Sequence, residues 1–233
     1  MTERTTPRDR ARMQTMADIT RIGRAHLVRD GAAALSLRAV ARDLGVVSSA
    51  VYRYVAGRDD LLTLLVVDAY TELADAVDAV IDAAPVDPVP RIRAGVRAMR
   101  GWARAEPARW ALLYGSPVPG YTAPAEQTTG PGTRVMITLL RLVDAARIAG
   151  QLVDPEPVRL SRVLRRDLRS MAAEAGLGLP EPTTAGALLW WSATVGVISG
   201  EVFGQLGAET VADPDALFEH HRTRLDRMLG LPA

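Results

Sequence analysis

The stretch "SLRAVARDLGVVSSAVYRYVAGRDDLL", residues 36–62, restricts the fold more than any other part of the chain. It alternates short apolar-periodic runs with glycines at positions 45 and 57. Ser36 stands where a helix N-cap belongs, and Leu37, Val40, Ala41 and Leu44 recur at helical spacing as an inward face. Gly45 ends that helix, and Ser48 or Ser49 opens a second one running to about Val55. Behind Gly57 a long helix begins with Asp59 and Asp60 in its first turn, where acids complement the helix dipole. Upstream, a helix from Thr6 or Arg8 to Arg29 is stopped by Gly31 and carries Met16, Ile19, Ile22, His26 and Leu27 at helical spacing.

Periodicity of the same kind continues along the chain, and no alternating β-branched stretch interrupts it. The long helix behind Gly57 reaches about Ala84. Helices are expected at 89–105, 107–114, 133–150, 156–175, 183–206 and 214–229. The segment 115–132, "GSPVPGYTAPAEQTTGPG", has no period and reads as a long functional or mobile loop. The fold class is all-α, with a three-helix head at 1–57 and a larger helical bundle at 58–233.

Composition removes several function classes. Among 233 residues there is no Cys, so neither disulfides nor thiolate chemistry are available. The three histidines are His26, His220 and His221, and no Ser/His/Asp arrangement, metal-ligand run or phosphate loop accompanies them. No catalytic residue, metal site or cofactor is expected. The first residues are polar and basic rather than a secretory signal, and the most apolar run, 185–200, is shorter than the roughly 18 residues of a membrane span. A cytoplasmic chain with no membrane contact is expected.

Charge is unevenly placed. Residues 1–58 hold 11 Arg against 5 acids, a net +6, whereas the remainder holds 17 Arg against 22 acids, a net −5. A basic head on a mildly acidic body suits a polyanion partner. Two short helices about a glycine turn, braced by a preceding helix, follow the helix-turn-helix plan of DNA readers. Val40, Leu44, Val46 and Val51 form the inner wedge, which leaves Ser48, Ser49, Ala50, Tyr52, Arg53 and Tyr54 outward. Small residues admit the helix to the major groove, while Tyr and Arg reach phosphates. Arg58, with the free amides near Asp59, adds an anion site. The basic arm "TERTTPRDRAR" either follows the DNA backbone or minor groove or stays disordered.

The motifs "LSLRAVARDLGV" (35–46), "VYRY" (51–54) and "GRDDLL" (57–62) resemble the DNA-binding domain of TetR-family transcription regulators. Val47 stands where the family often has Ser, and Tyr54-Val55 where it often has His-Phe. The resemblance implies that Ser48, Ser49 and Ala50 lie nearest the bases, while Ser36, Arg38, Tyr52, Tyr54 and Arg58 touch phosphates. Arg53 is either a further contact or a solvated charge.

"AEPARWALLYGSPVPGYTAP" (105–124) and "WWSATVG" (190–196) resemble the C-terminal ligand-binding domain of a Trp-His-Gly subgroup of the family, although Val195 replaces its His. That resemblance implies an inducer pocket, and Trp102, Trp110, Tyr114, Met136, Leu140, Met171 and Trp190 are its expected lining. Gly196, Gly200 and Gly204 repeat every fourth position, which asks for a close helix neighbour because each glycine costs about 1 kcal/mol against Ala. With Phe203, Phe218, His221 and Leu225 they are expected to form a homodimer interface.

The resulting expectation is a homodimeric repressor released from a palindromic DNA operator by an apolar or aromatic small molecule. An activator and an architectural DNA-binding protein are the alternatives, with a small-molecule carrier a more distant one. A carrier has no use for residues 36–62, and an architectural protein none for the tryptophan-bearing body.

Overall fold

The computed structural model describes residues 6–153, 159–207 and 210–232. These form helices α1 (Pro7–Asp30), α2 (Leu37–Asp43), α3 (Ser48–Val51), α4 (Arg58–Ala83), α5 (Pro88–Ala105), α6 (Pro107–Tyr114), α7 (Ala125–Ile148), α8 (Arg162–Glu174), α9 (Glu181–Val202) and α10 (Pro214–Leu229), with a 3-10 turn at Ala32–Ala34. Among the described residues there is no strand. Arm residues 2–5 and the expected start of the eighth helix at 156–158 lie outside them.

Several boundaries differ from expectation; α8 begins only at Arg162, with 159–161 outside it. Helix α7 starts at Ala125, so the irregular segment is only 115–124. The Pro124 carbonyl accepts from the backbone N–H groups of Gln127 (3.1 Å) and Thr128 (3.0 Å), which sets a helical turn before Gly130, Pro131 and Gly132 hide the period. Helix α3 stops at Val51, and residues to Tyr54 continue as a turn. Helix α9 ends at Val202, and Gly204 lies beyond it in left-handed backbone (φ 63°). Gly204 therefore closes a helix rather than extending the stripe of Gly196 and Gly200.

The chain forms two compact units. One comprises residues up to Glu72 together with Ala108–Gly132, the other Leu73–Pro107 together with residues from Thr133 onward. In the first, Ile19, Ile22, Leu27, Leu35, Leu37, Val40, Val51, Val55, Leu61 and Leu65 pack into one apolar core. Val46, expected in this wedge, is 40% exposed. Val55 and Leu35 are buried there instead.

His26 is buried, with Nε2 2.7 Å from the Asp43 carboxylate. Arg24 grips Asp68 through two hydrogen bonds (2.7 and 2.6 Å). Arg109, only 2% exposed, reaches Asp68 (3.2 Å) and Glu72 (2.6 Å). One buried ion network thus fastens α1, α4 and α6.

In the second unit α5 is strongly amphipathic. Val89, Ile92, Val96, Met99 and Ala103 are buried at helical spacing. Gly95 permits close packing, since a Cβ there would lie 2.8 Å from Leu139 and 3.1 Å from Ile81. The other side of α5 is a row of arginines paired with acids of α9 and α10. Arg100 binds Glu201 (2.7 Å) and Asp215 (2.6 Å) while lying over the Phe218 ring, and Arg93 reaches Asp226 (3.2 Å). Arg97 binds Glu219 through two 2.7 Å bonds, and Arg222 adds a third at 2.9 Å.

These bonds, that from Arg97 first, hold the Glu219 carboxyl down at about 2, against 4.5 for the free side chain. Stability contributed by this carboxylate is fully present above the unfolded value and is lost as pH falls from 4.5 toward 2. Glu219→Gln is expected to flatten the pH dependence of thermal unfolding in that window while changing little of its shape near neutrality.

Candidate nucleic-acid interface

The corner between α2 and α3 is built by backbone bonds. Gly45 has φ 73°, its N–H donates to the Arg42 carbonyl (3.0 Å), and the Val46 N–H donates to the Ala41 carbonyl (3.1 Å). This pair of bonds is the Schellman closure that a left-handed glycine allows. At the other end of α2 the Ser36 hydroxyl accepts from the Ala39 N–H (3.4 Å). Helix α3 has no such side-chain cap: its N-cap is Val47, and Ser48 is already the first helical residue. Ser48 thus opens the helix as expected, with the apolar Val47 in the capping position.

Val51 anchors α3 in the core, and this sets which side chains face out. Ser49 and Arg53 are exposed, Tyr52 is 44% exposed, and Ser48 and Ala50 are half-buried. Arg38, on α2, is exposed as well. Among the described residues Arg38 and Arg53 form no ion pair, whereas Arg21, Arg24, Arg29, Arg42 and Arg58 each do. Tyr54 is half-buried and packs on the core, with Arg12 over its ring at 5.8 Å.

Arg58 is used differently from the expectation. Its guanidinium donates to the carbonyls of Ala32 (3.4 Å) and Ala33 (3.2 Å), closing the 3-10 turn onto the start of α4. The Ala56 N–H at that corner is taken by the Asp60 carboxylate (3.0 Å). The expected anion site is therefore occupied by the chain's own groups.

The expected pocket residues fall in both units. Trp110 and Tyr114 belong to the first, with ring centroids 4.4 Å apart, and Tyr70 meets Tyr114 edge-on at 6.2 Å. Burial pushes both phenols upward in pKa. Gly132 makes room for this cluster, since a Cβ there would lie 3.2 Å from the Tyr70 ring. Tyr70 was not among the expected residues; only its chain position on α4 marked it, as one more helical aromatic.

Trp102, Met136, Leu140, Met171 and Trp190 belong to the second unit, where Trp102, Leu140 and Trp190 are buried, Met136 is half-buried and Met171 is 47% exposed. None of them lines the large cavity of that unit.

That cavity, about 750 Å³, opens between α9, α10, residues 204–207, Val211 and the end of α5. Gly196, Gly200, Gly204, Phe218 and His221 line it, joined by Ala193, Val197 and Leu217. Leu225 instead borders a gap of about 10 Å³ with Trp190, and Phe203 is 38% exposed. A Cβ at Gly196 would meet nothing within 4 Å, and one at Gly200 only the Gln205 side chain at 3.6 Å. The stripe is thus open within the chain.

No group of three or more His, Asp or Glu is placed to hold a metal among the described residues, and no helix there is long and apolar enough to cross a membrane.

Known proteins share this arrangement. Residues 92–225 match the family described as tetracyclin repressor-like, C-terminal domain. The chain is 47% identical over 221 residues to the HTH-type transcriptional regulator Rv1816 of Mycobacterium tuberculosis, covering 92% of each chain, and equally to Mb1846 of Mycobacterium bovis. The crystal structure of SCO4313, described as a regulatory protein, superposes with a TM-score of 0.74 at 32% identity, covering 94% of this chain and 98% of that one. A tetR-family regulatory protein from Rhodococcus RHA1 shares the fold, with a TM-score of 0.61 at 17% identity over 94% of this chain and 98% of that one. With its helix-turn-helix head and matching C-terminal domain, the chain belongs to the TetR family of DNA-binding transcriptional regulators.

Proposed function

We propose that the protein is a homodimeric repressor that binds a near-palindromic operator and is released by an apolar or aromatic small molecule. The observation that carries the DNA reading is the face around α3. Ser49, Tyr52 and Arg53 are exposed, as is Arg38 on α2, and among the described residues neither guanidinium forms an ion pair. Ser48, Ser49 and Ala50 read base edges, while Ser36, Arg38, Tyr52 and Arg53 bind phosphates. Tyr54 contributes from the rim of this face. Arg58 supports the head from within rather than touching DNA. Residues 1–57 carry DNA recognition, and 58–233 carry effector binding and dimerisation.

The open stripe of Gly196 and Gly200, with Leu189 (57% exposed) and Ala193 at helical spacing on α9 and Leu217 and His221 on α10, supports pairing with a second copy. Gly204 and Phe218 border the same face, and Leu225 the neighbouring gap. Family members act on small-molecule effectors, and the cluster of Trp110, Tyr114 and Tyr70 supports an effector site: two phenols beside an indole suit a flat apolar ligand with one polar group. Trp102, Met136, Leu140, Met171 and Trp190 belong to the second unit and are not part of this proposed site. Arg109 immediately precedes Trp110, so an effector that displaces α6 acts on Asp68 and, through Arg24, on α1.

Selection of bound fragments from random DNA tests the first part. Combining Tyr52→Phe with Arg38→Ala should weaken binding to all sequences and flatten the salt slope by about 0.9 for each phosphate no longer neutralised. Ser49→Ala should alter base preference at an unchanged slope. Equal slopes for wild type and the double variant would remove the phosphate assignment.

Gly196→Leu tests the dimer face without disturbing the single chain, because the added side chain enters open space. Sedimentation should show dissociation, while helix content is retained. A tight dimer would place the interface elsewhere.

A further inference from the structure

The first two turns of α1 have no packing reason to exist. Residues 7–14 are all exposed, and the first fully buried residue of the helix is Ile19. About 12 Å of helix therefore runs past the core at 1.5 Å per residue. Its N-terminus is nonetheless closed by a capping box. The Thr6 hydroxyl accepts from the Asp9 N–H (3.2 Å), and the Asp9 carboxylate accepts from the Thr6 N–H (3.1 Å). Since the helix continues from a packed segment, it bears no nucleation cost, and the cap keeps the projecting part from fraying. Such a feature holds side chains in fixed positions.

The side chains it holds are cationic, and the only carboxylate acting on them among the described residues is Asp9, which Arg12 helps keep ionised. Among the described residues Arg8, Arg10 and Arg12 form no ion pair, whereas Arg21, Arg24 and Arg29 further along the same helix each do. Arg12 lies over the Tyr54 ring at 5.8 Å, and Tyr54 follows Tyr52 and Arg53 in the chain. Arg8, four residues earlier, shares the Arg12 face of the helix, whereas Arg10 points away from it.

We propose that the projecting start of α1 is a second DNA-backbone site, in which Arg8 and Arg12 bind phosphates flanking the bases read by α3. The Tyr54 ring is the platform that aims Arg12, and its aromatic face rather than its hydroxyl is what the site uses. This inference rests on the head being the DNA-binding element, and it adds a preordered clamp where the sequence offered either a trailing arm or a disordered one.

The test compares full-length wild type, Arg8→Ala/Arg12→Ala and Arg10→Ala on the DNA selected by the wild type. The double variant is expected to bind roughly tenfold or more weakly, with a salt slope flatter by about 0.9 for each phosphate it fails to neutralise and an unchanged base preference. Arg10→Ala should stay near wild type. Tyr54→Phe should retain affinity, and Tyr54→Leu should lose it in proportion to the Arg12 contribution. Wild-type affinity and slope in the double variant, with α1 helix content intact by circular dichroism, would overturn the clamp while leaving the head assignment standing. A wild type without salt-dependent DNA binding would overturn both.

Discussion

A guanidinium removed from water has to be matched by carboxylates, and in the first unit that requirement organises the packing of three helices. Arg109 is 2% exposed and bonded to Asp68 and Glu72, and Asp68 is shared with Arg24. Losing one partner would strand a buried charge, which costs about 3–5 kcal/mol, so α1, α4 and α6 are held to a single register. The interaction is weak evidence for net stability, since a well-packed apolar replacement is often as good. Its value is positional. A network that tolerates only certain distances converts a small movement of α6 into a demand on α1.

That property joins the two chemistries of the first unit. The indole of Trp110 follows Arg109 directly, and Tyr114 and Tyr70 complete an aromatic group. On the other side of the network, Ile19 and Ile22 of α1 share a core with Val40 and Val51, which fix the tilt of α2 and α3. In the proposed account an effector that reorients α6 alters the support of α1 and thereby the angle at which Ser49, Tyr52 and Arg53 face DNA. The ligand acts only through its difference in affinity for the two arrangements.

The head was legible in the chain because its signals are local. Gly31, Ser36 and Gly45 act through backbone bonds to residues within five positions, and each appears in the structure where its residue type implies. Features that depend on distant partners were not legible. Arg58 reads as a phosphate ligand until Ala32 and Ala33 are seen to offer carbonyls 26 and 25 residues away. Val46 has the residue type of a core wedge, but the left-handed turn at Gly45 leaves it outside. The early start of α7 was hidden because Gly130, Pro131 and Gly132 suppress the helical period without preventing the helix. Likewise, aromatic content alone suggested one pocket, whereas Trp110 and Tyr114 belong to one unit and Trp102 and Trp190 to the other.

The coupling claim is open to one direct measurement: effector affinity with and without saturating operator, in wild type and in Arg24→Met. Arg24 is part of the network without being placed at the DNA face or the aromatic cluster, so the variant interrupts the connection alone. Wild type should show effector and operator weakening each other by one common factor, as linkage requires. In Arg24→Met that factor should fall toward one while each ligand still binds alone. An unchanged factor in Arg24→Met would contradict the account.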